Sequence, residues 1–177
     1  MMDDPDMWVH TVFDSNLKPI SSATVFPTYR WVALGTYFNK TGGLDVVPNI
    51  ATVELLLHSV CSLFPDYDVL MEGILCSTTF SSYSTIFRQM ENTYDRQPII
   101  LSIMPPVEVA IDRVKLRNGG KPFNEDLVRA KWGMVYRSHQ KFKSAGFCTV
   151  KVDSSKIRKE SMLPAFLRTV DKYREEK

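Results

Sequence analysis

The sequence predicts a three-layer α/β domain on a mainly parallel sheet, and three observations lead there. Short runs rich in β-branched, aromatic or aliphatic residues recur along the chain, segments with helical spacing separate them, and Gly or Pro punctuates most junctions. At 177 residues the chain can bury a substantial core as one domain, so residues 1–177 are read as a single unit without repeats or linkers.

Trp8–Phe13 (WVHTVF) is aromatic and β-branched and reads as a strand. Residues 17–28, rich in Pro and Ser, read as loop. Residues 30–34 (RWVAL) form a second strand ended by Gly35, and Asn39-Lys40-Thr41-Gly42-Gly43 reads as a turn. Residues 52–64 carry helical spacing, with Leu56, Val60 and Leu63 on one face. A short strand over 68–71 and a helix over 81–92 follow. Residues 99–104 (IILSIM) are an apolar run suited to a buried parallel strand. Pro105-Pro106 opens a helix that runs to Arg117, since proline is tolerated in a first turn, and Gly119-Gly120 breaks it. Asn124 is placed to cap a long helix whose inner side carries Leu127, Lys131, Met134, Ser138 and Phe142, stopped by Gly146. Residues 147–152 (FCTVKV) make the last strand and 163–175 the last helix.

Composition narrows the function classes. The chain is 44% apolar and 24% charged, and no apolar run is long enough to span a bilayer. Its acidic start, Met1-Met2-Asp3-Asp4, is unlike a secretory signal. Cys61, Cys76 and Cys148 lack metal-ligand spacing and read as reduced, buried thiols of a cytoplasmic protein. The net charge of +2 is unevenly placed: 5 basic and 11 acidic residues precede Glu108, and 17 basic and 9 acidic residues lie from there onward. A basic second half suits a polyanionic partner, and equally suits two helices with solvated basic faces.

In parallel α/β sheets ligands sit beyond the carboxyl ends of the strands. The residues there are Gly35-Thr36-Tyr37 with Gly42-Gly43-Leu44-Asp45, then Met71-Glu72-Gly73, then Asp153-Ser154-Ser155. Glu72, at a strand end and followed by glycine, can hold a magnesium-bound water or accept a substrate hydroxyl proton; the alternative is a helix cap or ion-pair partner. Asp45 can meet a sugar or base edge, or simply close a turn. Arg113 and Arg117 lie one helical turn apart, with Lys121 just beyond, and can grip phosphate oxygens as a basic flap hinged at Gly119-Gly120. Lys131 and Arg137 add charge. Tyr37, Phe38 and Tyr83 offer stacking surfaces or core aromatics. His10, His58 and His139 suggest neither triad nor metal site.

These features together resemble a known family. The run Asp68-Val69-Leu70-Met71-Glu72-Gly73, the strand ending in Pro105-Pro106, Arg113 and Arg117 on one helix, and Gly120-Lys121-Pro122-Phe123-Asn124 are similar to the core, lid and last strand of P-loop nucleotide kinases. Gly35-Thr36-Tyr37 with Gly42-Gly43-Leu44-Asp45 resembles phage-encoded kinases that phosphorylate 5-hydroxymethyluracil within DNA. The resemblance implies an ATP- and Mg2+-dependent phosphotransferase in the host cytoplasm, acting on a nucleotide or a modified base in DNA, with a helical lid over residues 113–137. It places Glu72 near magnesium or the acceptor hydroxyl, and Arg113, Arg117 and Lys121 on the transferred phosphoryl. Asp153, Ser154 and Ser155 fall near the adenine; Gly35, Thr36, Tyr37, Gly43 and Asp45 fall on the acceptor side.

The sequence departs from that family in one respect: it contains no G-x-x-x-x-G-K-[ST], and its first glycine is Gly35. The expected fold therefore lacks the family's first strand and P-loop, a strand belonging between those ending at Leu70 and Met104. Three expectations follow: a late chain start with loss of activity, a non-catalytic scaffold binding nucleic acid or protein through the basic half, or unpaired sheet edges completed by a partner subunit.

Overall fold

In a computed structural model the described residues are 4–13, 16–35, 43–157, 167–168 and 170–172. The chain is a mixed α/β protein that resolves into two compact units, Met1–Gln97 and Pro98–Lys177.

The first unit is built on a four-stranded sheet in sequence order: β1 (Trp8–Phe13), β2 (Pro19–Phe26), β3 (Trp31–Leu34) and β4 (Asp68–Leu70). β1, β2 and β3 are antiparallel neighbours, and β3 and β4 are parallel. The sheet is thus mixed rather than mainly parallel, because the stretch expected as loop is a central strand. Its proline occupies the first position of β2, where a missing N–H costs little. Ala23, Thr24 and Val25 beyond it are almost wholly buried. The second strand begins at Trp31, not Arg30: Arg30 is left-handed (φ 53°) and closes the 3-10 turn Pro27–Tyr29.

Helix α1 (Ile50–Leu63) lies against β2 and β3 and buries Val53, Leu56, Leu57, Val60 and Cys61. Leu63, expected on that face, is exposed. Asn49 caps the helix, its side chain accepting the Thr52 N–H at 2.9 Å. A five-residue helix not foreseen from the sequence, α2 (Ile74–Thr78), follows β4, and α3 (Phe80–Tyr94) packs on α1. Arg96 then ties back the turn before β4, donating to the carbonyls of Tyr67 (2.6 Å), Phe64 (2.8 Å) and Pro65.

The second unit holds β5 (Ile99–Ile103) and β6 (Cys148–Val152), paired in parallel and in register from Ile99–Cys148 to Ile103–Val152. Helices α4 (Val107–Arg117) and α5 (Glu125–Ser144) connect them, and α5 lies on both strands. Asn124 caps α5 as expected, accepting the Leu127 N–H at 3.1 Å, and Gly146 with φ 81° stands just past its end. The buried stripe of α5 is Ser138, His139 and Phe142, whereas Leu127 and Lys131 are exposed. The buried residues of α5 thus all fall in its second half. Of the expected last helix, residues 167–168 and 170–172 are helical and the rest falls outside the described residues. No helix among the described residues is long and apolar enough to cross a membrane.

Candidate active site

At the carboxyl ends of β3 and β4 two loops are locked together through their glycines. Gly35 has φ +90°, and a Cβ on it would stand 2.1 Å from the Gly43 carbonyl oxygen, so the two backbones touch where only hydrogen fits. The Gly35 N–H donates to Ser22 O (2.8 Å) and its carbonyl accepts the Thr24 hydroxyl (3.1 Å), which fixes it to β2. Gly43, also at positive φ, opens the 3-10 turn Gly43–Val46. From that turn the Leu44 N–H donates to the Glu72 carbonyl at 2.7 Å, and Asp45 Oδ1 accepts the Ile74 N–H at 3.2 Å. A Cβ on Gly73 would meet Leu44 Cβ at 3.0 Å and Asp45 Oδ1 at 3.1 Å. Residues 72–74 are thus braced from both sides, and the Glu72 carboxylate is left exposed.

The first turn of α2 closes this rim. The Cys76 thiol (3.0 Å) and the Ser77 hydroxyl (2.9 Å) both donate to the Gly73 carbonyl. Burial pushes the Cys76 thiol up to about 11, with the Asp45 and Glu72 carboxylates adding to the effect and the Ser77 hydrogen bond opposing it. Cys76 is therefore a protonated hydrogen-bond donor at neutral pH and not a nucleophile. Tyr83 is buried in the core, and burial followed by Cys76 and Asp45 raises its phenol to about 12. Its ring is enclosed, so of the stacking candidates Tyr83 is a core residue. Thr36, Tyr37, Phe38 and Gly42 lie outside the described residues. Asp45 caps α2 across the gap between loops, the turn-closing alternative in another form.

In the second unit the structure brings Arg113 to the loop after β6. Its guanidinium donates to Ser154 Oγ at 2.8 Å and to the Ser154 carbonyl at 2.9 Å, and Ser154 is 1% exposed. Asp153 accepts the Ser155 N–H (3.0 Å) and hydroxyl (2.6 Å), and that hydroxyl first, then the N–H, holds its carboxyl below the usual range. Arg113, Asp153, Ser154 and Ser155 form one cluster. Arg117 and Lys121 are exposed, and their side chains make no ion pair among the described residues. Gly119 and Gly120 take positive φ in open space. Glu108 makes a two-pronged ion pair with Arg129 (2.6 and 2.9 Å), and Trp132 Nε1 donates to the Pro105 carbonyl, so α4 and α5 are cross-braced.

No group of three His, Cys, Asp or Glu suited to a metal occurs among the described residues. A magnesium ion held through one carboxylate, water and substrate phosphates needs no such cage, and the exposed Glu72 fits that partial role. A triphosphate fits less well, since no phosphate-cradling glycine-lysine loop is present in the sequence.

Fold and site so far define an α/β protein with an acidic, glycine-locked rim in one unit and an arginine-anchored loop in the other. Comparison with known proteins sharpens this. The family profile for 5-hmdU DNA kinase matches residues 2–163. A 5-hmdU DNA kinase of Bacillus phage SP10 is 39% identical over 139 residues, 76% of this chain and 22% of that protein. The 5-hmdU DNA kinase 1 of Salmonella phage ViI is 36% identical over 124 residues, 68% of this chain and 54% of that protein. The chain belongs to the 5-hmdU DNA kinase family, as the glycine and acidic motifs led one to expect. It spans about a fifth and about half the length of these two relatives. No solved structure matches it significantly.

Proposed function

We propose that this chain carries the acceptor side of a phosphotransferase that acts on the hydroxymethyl group of a modified uracil in DNA, with ATP as phosphoryl donor and Mg2+ as counter-ion. The observation carrying this reading is Glu72: an exposed carboxylate whose backbone is fixed by the Leu44 N–H, in a chain whose family is named for this reaction. A carboxylate so placed can accept the proton of an acceptor hydroxyl as its oxygen attacks phosphorus. Asp45 holds the Ile74 N–H and keeps the 72–74 segment in place. Arg117 and Lys121, exposed in the second unit, are cations suited to transferring phosphoryl oxygens, a role based on charge and on the family resemblance and not on where the two units lie. Arg113 acts at one remove by fixing the 153–156 loop. Mg2+, when bound, supplies charge neutralisation at the phosphates. The chain's own residues provide no triphosphate cradle, so the acceptor side is the part of the reaction they describe.

Binding of the chain to DNA containing 5-hydroxymethyluracil, compared with the same DNA containing thymine, tests this acceptor-side reading. Tighter binding of the hydroxymethyl DNA is expected, and Glu72→Gln is expected to lose most of that difference at unchanged thermal stability. Equal affinity for the two DNAs, or a difference kept in full by Glu72→Gln, overturns the assignment.

A further inference from the structure

The second unit carries a cationic stripe that the proposed chemistry does not use. From Arg129 to Lys151 the sequence holds six Lys or Arg and no Asp or Glu. On α5, Trp132 and Tyr136 are one turn apart and their rings are parallel, 5.8 Å between centroids and 4° between planes. Arg137 projects about 100° round the helix from Tyr136 and reaches back toward Gly133, where a Cβ would meet its Nη1 at 3.3 Å. Lys151, from β6, sets its ammonium over the Tyr136 ring at 5.5 Å from the centroid. Lys143, seven residues beyond Tyr136, and Lys151 both act electrostatically on His139 between them. The exposed residues Tyr136, Lys143 and Lys151 thus share one face of α5 and β6, with the exposed Arg137 at its edge.

A face that is merely solvated mixes its signs, as α4 does with Glu108, Asp112, Arg113 and Lys115. Here Arg137, Lys143 and Lys151 make no ion pair among the described residues, although Asp153 feels the charge of Lys151, and Lys151 is set over an aromatic ring. The Tyr136 ring already lies against Trp132 and carries the Lys151 ammonium, so it is engaged within the protein rather than offered to an incoming base. Ammonium and guanidinium groups held at a helix surface instead match the regularly spaced phosphates of a nucleic-acid backbone.

We infer that the α5–β6 face is a docking surface for the phosphodiester backbone of DNA, gripped by Arg137, Lys143 and Lys151 without regard to base sequence. The inference rests on DNA being the acceptor of the proposed reaction, and it names the part of the chain that holds that acceptor. Such contacts make affinity fall steeply with salt, by about one unit of log–log slope for each phosphate neutralised.

The test is binding of the full chain to fluorescently labelled duplex DNA without any modified base, titrated at several salt concentrations. The modified base is absent from this assay, so its outcome is separable from that of Glu72→Gln. The triple variant R137Q/K143Q/K151Q is expected to weaken binding and lower the slope by about 3. The variant K18Q/R30Q/R88Q, with the same charge change in the first unit, is expected to keep the parental slope. Circular dichroism checks that both remain folded, and the conservative K143R/K151R, which keeps the charge, is expected to retain binding. Equal slopes for the two triple variants, no DNA binding by the unmodified chain, or tighter binding of polyglutamate than of DNA at equal salt overturns the inference.

Discussion

The two candidate clusters are positioned by opposite means. In the first unit the rim around Glu72 is placed by backbone: Gly35 against Gly43, Leu44 N–H on the Glu72 carbonyl, Asp45 on the Ile74 N–H. In the second unit the loop after β6 is placed by a side chain, the Arg113 guanidinium on Ser154. A backbone-locked site tolerates almost no added volume, whereas a side-chain-locked site tolerates volume but not loss of geometry. The difference teaches where each region is vulnerable.

The largest effect is expected from Gly35→Ala. Its Cβ has nowhere to go and its φ disfavours any side chain, so a loss of about 3 kcal/mol or more is expected in urea unfolding. A midpoint unchanged from the parent would show that the loops part freely and break the comparison. Arg113→Ala should cost about 1–2 kcal/mol by stranding the buried Ser154 hydroxyl, and Arg113→Lys should recover less than half, because one ammonium cannot make both contacts. Equal stability of Lys and Arg at 113 would remove the case for geometric locking.

A pH dependence belongs to the second unit as well. His139 accepts from or donates to Ser102 Oγ at 2.8 Å in a buried setting, and burial, then Lys151 and Lys143, lowers its folded value from 6.5. A depressed histidine favours the neutral form in the folded state, so the unfolded chain binds more protons once the pH drops below about 6.5. Stability is full above that value and falls as acid is added, and His139→Gln should flatten the dependence between pH 7.5 and 5. Circular dichroism melts across that range check it. The smallest effect is expected at Gly120→Ala, about 1 kcal/mol, because only its positive φ and not its surroundings resist a side chain. Gly35 and Gly120 therefore form a matched pair: identical chemistry, with the cost of a close contact added at one site alone.

Much of the fold was legible because burial leaves composition marks. Aromatic and β-branched runs announced β1 and β3, an apolar run announced β5, and Asn124 announced the start of α5. β2 was hidden because Pro19 and three serines or threonines mimic loop composition, although a first-position proline and alternating small polar residues are compatible with a strand. α2 is too short for periodicity to register. Leu127 and Lys131 follow the helical stripe faithfully, but no periodicity reveals that only the second half of the helix is buried. At the site, Glu72, Asp45 and their glycines could be picked out as strand-end residues. What could not be read is which partner each backbone group takes, since Leu44 and Glu72 are 28 positions apart and hydrogen bonds between carbonyls and amides carry no side-chain signature. The α5 face did leave a trace, an acid-free interval with aromatics at i and i+4, which only the contact of Lys151 with Tyr136 turns into a surface.

The Trp132–Tyr136 stack has an optical consequence. Trp132 is the one tryptophan after Gln97; Trp8 and Trp31 both lie in the first unit. Its indole N–H is bound to the Pro105 carbonyl and its ring lies parallel to that of Tyr136, which also carries the Lys151 ammonium. In a protein with Trp8 and Trp31 changed to phenylalanine, the emission wavelength and intensity of Trp132 would report the state of the second unit alone. Any occupant that draws Lys151 away from Tyr136 would then announce itself as a change in fluorescence, with no label attached.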